Sequence, residues 1–155
     1  MNFKLSISIL SFILLLSCGF ELANYDNNFT IANIDTNGEK RINYKLKNKI
    51  LNKTKNNNAN SIYITINSKK ERLIKEKNIS NQITKYEIII IVDVEFRSMN
   101  DSNINGSFSV LKKGDYGSSA KYSDNLNSEK NLINSLVENI SEEVIENLVV
   151  YFNDL

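Results

Sequence analysis

Three patterns in the sequence predict an α+β fold. Every second residue from Ile88 to Phe96 in "YEIIIIVDVEFR", Tyr86 to Arg97, is apolar, as on the buried face of a β-strand. Apolar residues also recur at helical spacing twice, at Ile42, Leu46 and Ile50 and again from Ile133 to Tyr151. Two amphipathic helices beside a small sheet bury their apolar stripes together when both pack on one face of it. The predicted element order is β-α-β-β-β-α, a small four-stranded sheet with two helices on one face.

"FTIANI", Phe29 to Ile34, reads as a short first strand. Thr36 and Glu39, three residues apart, have the spacing of a capping box and predict a helix from about Glu39 to Asn52. On it, Ile42, Leu46 and Ile50 share a face while Lys45, Lys47 and Lys49 lie largely elsewhere. "NKTKNNNAN", Asn52 to Asn60, is a polar loop. Ile62, Ile64 and Ile66 then alternate with Tyr63, Thr65 and Asn67, a half-buried strand that can run on into the basic stretch beyond Ser68. "NISNQ" is a turn without glycine or proline.

The next strand is the strongest. Ile88, Ile90, Val92, Val94 and Phe96 form a wholly apolar face and are predicted core, whereas Glu87, Ile89, Ile91, Asp93, Glu95 and Arg97 form a mixed face that is half solvated. "SMNDSNING" is a hairpin connection, and "SFSVLKK" turns Phe108 and Val110 inward on a last strand. A long helix from about Asp124 to Tyr151 carries the stripe Ile133, Leu136, Val137, Ile140, Val144, Leu148 and Tyr151. Glu138, Glu142, Glu143 and Glu146 flank that stripe.

At the amino terminus the predominantly apolar run Leu5 to Leu16 is twelve residues long and follows Lys4. A spanning helix needs roughly 20 apolar residues, so the run reads as a secretory signal. "LLSC", Leu15 to Cys18, resembles the bacterial lipobox, with a bulky aliphatic three positions before the cysteine and a small residue just before it. The resemblance implies that the Cys18 thiol is lipidated and the chain is cut ahead of it. One acyl chain holds a protein to a membrane only marginally and two hold it stably, so a doubly acylated Cys18 would be a lasting membrane anchor. Gly19 stands where an aspartate would resemble the inner-membrane retention signal, which points to the outer membrane. The expected organisation is a cleaved signal over 1–17, a lipidated tether over 18–28 and one domain over 29–155.

Cleavage leaves 138 residues, the size of a single domain, with no cysteine for a disulfide. The chain has no histidine, which excludes a histidine-based triad and histidine-ligated zinc, and acylation of Cys18 removes the thiolate. A carboxylate hydrolase acting on cell-wall glycan would need two acids facing each other across a cleft. The best pair, Asp93 and Glu95, shares one strand face two residues apart, which is a surface spacing. The expectation is a non-enzyme without cofactor, metal or nucleic-acid partner. The mature charges balance at 18 basic and 18 acidic residues but are segregated. Lys40 to Lys85 holds thirteen basic residues against Glu71 and Glu76, while Ser123 to Leu155 holds seven acids against Lys130.

A lipobox running into "CGF", a short strand, a basic helix after Asn37-Gly38, a long hairpin whose second strand opens at "TKYEI" around Tyr86, a serine-bearing strand and a long final helix together resemble the lipopolysaccharide-assembly lipoprotein family LptE. The resemblance runs over roughly Cys18 to Leu148 and rests on element order and spacing. It implies an outer-membrane lipoprotein, lipid-anchored on the periplasmic side or in a barrel lumen. Its expected partners are an LptD-like β-barrel, which it would plug and help assemble, and lipopolysaccharide. The family's basic contact positions have no residue-for-residue counterparts here.

From the residues themselves, Lys69, Lys70, Arg72, Lys75 and Lys77 crowd the end of the second strand and could meet phosphates and carboxylates of lipopolysaccharide. A solvated basic stretch in a lysine-rich chain is the other reading of the same tract. Lys112 and Lys113 form a weaker second patch, and the mixed face of Tyr86 to Arg97 is either a barrel contact or an ordinary exposed face. An accessory lipoprotein of another outer-membrane machine, for barrel assembly or as a secretin pilot, would share the anchor and lack affinity for lipopolysaccharide.

Overall fold

The computed structural model describes residues 29–54 and 60–153. The signal segment 1–17, Cys18 and the tether 18–28 lie outside the described residues. One sheet holds β1 (Phe29–Gly38), β2 (Asn60–Lys77), β3 (Ile83–Ser98) and β4 (Asn105–Gly117) in the order β1-β2-β3-β4. Helix α1 (Lys40–Lys53) joins β1 to β2, and α2 (Tyr122–Asn153) follows β4, so the α+β order β-α-β-β-β-α is the observed one. A helical crossover returns the chain in the same direction, and β1 is parallel to β2. Hairpin connections reverse it, so β2, β3 and β4 run antiparallel.

The alternation in β3 decides where the core lies. Ile88, Ile90, Val92, Val94 and Phe96 are buried, while Asp93, Glu95 and Arg97 on the other face are exposed. In register with them, Ile66 faces Val94 from β2, and Val110 faces Val92 from β4. Helix α2 lies over β3 and β4 and α1 over β1 and β2, both on this face. Each fully buried isoleucine contributes about 1.5–3 kcal/mol of transfer free energy relative to exposure. At one end of the layer an aromatic cluster closes the core: Phe96 meets Tyr151 edge-on at 4.7 Å, and Phe29 meets Phe152 at 5.2 Å between ring centroids.

Several boundaries differ from those read in the sequence. No Thr36 to Glu39 capping box forms: Thr36 is within β1, and Glu39 caps α1 without a side-chain hydrogen bond. The turn is made by the backbone. Gly38 has φ +92°, and a Cβ there would sit 2.0 Å from the Ser68 carbonyl oxygen, so only glycine lets β1 run this close to β2 before turning. The Glu39 amide then donates to the Ser68 carbonyl and hydroxyl, both at 3.2 Å.

The hairpin turn at Asn78–Gln82 does form without glycine, because Asn81 takes the left-handed conformation (φ 60°) and the Asn78 carboxamide oxygen accepts from the Ser80 and Gln82 amides. β4 runs on through Gly114 and Tyr116 to Gly117. A side chain at Gly114 would come within 2.7 Å of Leu132, so the glycine lets α2 lie against the strand. On α2 the buried stripe also takes in Ile145 and ends at Phe152, whereas Ile133 and Tyr151 are half-buried.

Candidate functional site

A strand sends successive side chains to opposite faces, and that rule splits the basic tract of β2. Lys70 and Arg72 follow Ile66 and Ser68 on the helix-covered face, while Lys69 and Lys75 are on the open face. Each subset meets its own acids.

Beneath the helices the organising group is Glu129 of α2. Its carboxylate accepts from Lys70 at 3.3 Å, lies 3.6 Å from the Arg72 guanidinium and accepts from the Tyr116 hydroxyl at 3.1 Å. The Arg72 guanidinium also lies over the Tyr86 ring, 3.9 Å from its centroid, and Tyr86 stacks on Tyr116 at 5.5 Å. The β3–β4 register builds this stack, since Tyr86 and Tyr116 are direct partners. Burial, and then the hydrogen bond to Glu129, push the Tyr116 phenol above its ordinary pKa.

On the open face Lys75 lies 3.0 Å from Asp115 and 3.6 Å from Glu87, and Lys69 lies 2.6 Å from Glu71. Lys85 joins them from β3, 2.9 Å from Glu76 and 3.7 Å from Asp115. The hydrogen bond from Lys75 holds Asp115 below its ordinary value. Hydrogen bonds to Asp115, Glu76 and Glu71 hold Lys75, Lys85 and Lys69 respectively above theirs. Lys77 is exposed and forms no ion pair with another described residue. In the second patch Lys112 pairs with Glu143 of α2, while Lys113 is exposed on the opposite face.

Four of the five cations in the tract therefore stand against carboxylates. Three of those acids, Glu87, Asp115 and Glu129, come from β3, β4 and α2, and no local signal around β2 announces them. The hairpin beyond them is also apolar at its surface: Leu73 and Ile74 are about half exposed, and Ile79 in the turn is fully exposed. Asp93 and Glu95 lie exposed on the open face, and no group of carboxylates among the described residues is arranged to hold a metal.

One four-stranded sheet carrying two helices on a single face is a fold that this chain shares with several solved bacterial lipoprotein structures. The particular structures it superimposes on make this concrete. Rare lipoprotein B from Shewanella oneidensis aligns with TM-score 0.61 at 10% identity, covering 81% of this chain and 98% of that one. An uncharacterized lipoprotein B from Nitrosomonas europaea aligns with TM-score 0.59 at 12% identity, over 82% of this chain and 85% of that one. A minor lipoprotein from Acinetobacter baumannii gives 0.58 at 9% identity, over 79% and 91%. At these identities the likeness is one of fold. No protein-family model and no curated protein matches the sequence.

Proposed function

We propose that this chain is an outer-membrane lipoprotein that works as an LptE-like partner of an LptD-type β-barrel, in the assembly of that barrel and the passage of lipopolysaccharide to the cell surface. The observation that carries the reading is the fold, shared with rare lipoprotein B over 98% of that chain. The lipobox at Cys18 and the element order resembling LptE support it from the sequence. In this reading the anchor holds the domain at the membrane while the domain occupies the barrel lumen. Of the tract Lys69, Lys70, Arg72, Lys75 and Lys77, the residues most open to lipopolysaccharide phosphates are Lys69 and Lys77. Lys69 has a side chain 69% exposed, and Lys77 forms no ion pair among the described residues. Lys70, Arg72 and Lys75 would have to exchange a carboxylate for a phosphate.

The test is to isolate the lipidated protein from outer membranes in mild detergent and identify what stays bound. A large barrel protein in stoichiometric amount is expected; recovery alone, or in a complex without a barrel, would sink the reading. A second reading, an accessory lipoprotein of another outer-membrane machine, is favoured by the carboxylates that already pair with most of the tract. It predicts that the double variant K69E/K77E leaves lipopolysaccharide binding unchanged, whereas the first reading predicts a loss of about tenfold, near 1.4 kcal/mol.

A further inference from the structure

The cations of α1 and α2 are arranged differently from those of β2. The two helices run side by side in the same direction, bridged by Lys45 to Asn134, Lys49 to Glu138, and Lys53 to Glu138 and Glu142. Ahead of the first bridge, where both helices begin, they leave a cleft of about 670 Å³ over the sheet. Ligand pockets for small molecules range over roughly 300–1,000 Å³ and are mostly apolar with a few convergent polar groups. This cleft has that composition. Tyr44, Leu126 and Ile133 line it, with Tyr44 71% and Leu126 48% exposed, so apolar surface faces the solvent there.

Its rim is cationic. Lys40, Arg41, Lys45 and Lys130 line it, and none of them forms an ion pair with a described residue. Only Glu39 and Glu129 supply negative charge, and Glu129 is engaged by Lys70 and Arg72. The first turn of α1 contains no acid, and the N-cap Glu39 makes no side-chain capping hydrogen bond to the amides there.

We propose that this cleft binds a free long-chain fatty acid, its acyl chain along Tyr44, Leu126 and Ile133 and its carboxylate among Lys40, Arg41 and Lys130. Burial of the acyl chain removes its methylenes from water, and the planar Arg41 guanidinium can donate two parallel hydrogen bonds to the carboxylate. The apolar lining alone would admit any hydrocarbon. The surplus of unpaired cations at the rim selects an anionic head. The site does not depend on the barrel reading, because every residue in it belongs to this chain.

The test uses the full chain in phosphatidylcholine vesicles with a 16-carbon fatty acid carrying a photoreactive diazirine, and peptide mapping of the adducts. Adducts are expected within residues 41–45 and 126–133, displaced by unlabelled hexadecanoate and about tenfold less well by hexadecanol, the loss of the ion-paired head. The triple variant K40E/R41E/K130E should label about tenfold less, while K113E on the opposite face labels as the parent does. Circular dichroism establishes that each variant is folded, and L126W fills the cleft as an uncharged check. Equal displacement by hexadecanol, equal displacement by two-chain phosphatidylglycerol, full labelling of the triple variant, or adducts spread evenly over Leu73 and Leu111 would each overturn the proposal. No barrel is present in this experiment, so its outcome is independent of whether one copurifies.

Discussion

The cations along β2 and those at the start of the helices differ in what faces them among the described residues. Along β2, Lys69, Lys70, Arg72 and Lys75 each stand within 4 Å of a carboxylate, and three of the acids come from other elements. At the start of the helices Lys40, Arg41 and Lys130 have no described acid partner and border exposed apolar surface. The denser cluster in sequence is thus the more neutralised one in space. A run of positive residues measures how much charge a segment carries, but an anionic ligand responds to the charge left over after the fold has paired its own.

Removing Glu129 should have the largest effect on this contrast. Its side chain is 17% exposed and serves Lys70, Arg72 and Tyr116, so Glu129→Ala leaves two cations and a hydroxyl without their common acceptor. A loss of about 2–3 kcal/mol in urea unfolding is expected, below that for a fully buried pair because Arg72 is partly solvated. Arg72→Ala should lose about 1 kcal/mol through the Tyr86 contact and half of the Glu129 pairing. If both variants unfold with the parent, the β2 cluster is not held by these contacts.

The pH profile sharpens the same point. Tyr116, Lys75 and Lys85 have raised values in the folded state, so their contribution is complete below the ordinary range near pH 10 and is lost as pH rises through the raised values. Asp115 is lowered, so its contribution is present above about pH 4 and is lost as pH falls through the lowered value. Asp115→Asn should flatten the acid limb of stability against pH, and Glu129→Gln should flatten part of the alkaline limb. Unaltered limbs in these variants would assign the pH dependence to other groups.

The helix cluster should behave in the opposite way. Lys40→Ala, Arg41→Ala and Lys130→Ala are each expected to change stability by no more than about 0.5 kcal/mol, as substitutions of exposed residues without partners. Smallest of all is a kinetic difference. With limiting amine reagent, Lys75 and Lys85 should label more slowly than exposed lysines without a carboxylate partner, because their ion pairs favour the unreactive ammonium. Uniform labelling across all lysines would erase the distinction between the clusters.

Periodicity carried most of the fold. The apolar face of Tyr86 to Arg97 is the core face, and Ile42, Leu46 and Ile50 are buried as their spacing requires. The errors fall at boundaries, where backbone geometry rather than pattern decides. Thr36 and Glu39 had the spacing of a capping box, yet the parallel pairing of β1 with β2 continued through Gly38↔Ser68 and took Thr36 into the sheet. The sequence pattern places the last strand at "SFSVLKK", yet pairing with β3 carries β4 on through Tyr116 to Gly117, past the glycines at 114 and 117. The candidate tract was legible as charge and illegible as a site. Lys70 and Lys69 are adjacent in sequence, yet one pairs with Glu129 under α2 and the other with Glu71 on the open face.

By itself the sequence determined the element order and the two buried stripes on the helices. These are properties of neighbours along the chain, set by spacing and residue type. Only the tertiary structure decided which lysines stand against carboxylates, and that Lys40 and Lys130, with no described acid partner, meet Tyr44 and Leu126 in a cleft. Coulombic interaction depends on distance through space, and residues 59 apart in sequence, such as Lys70 and Glu129, come within 3.3 Å only once the sheet and helices have packed.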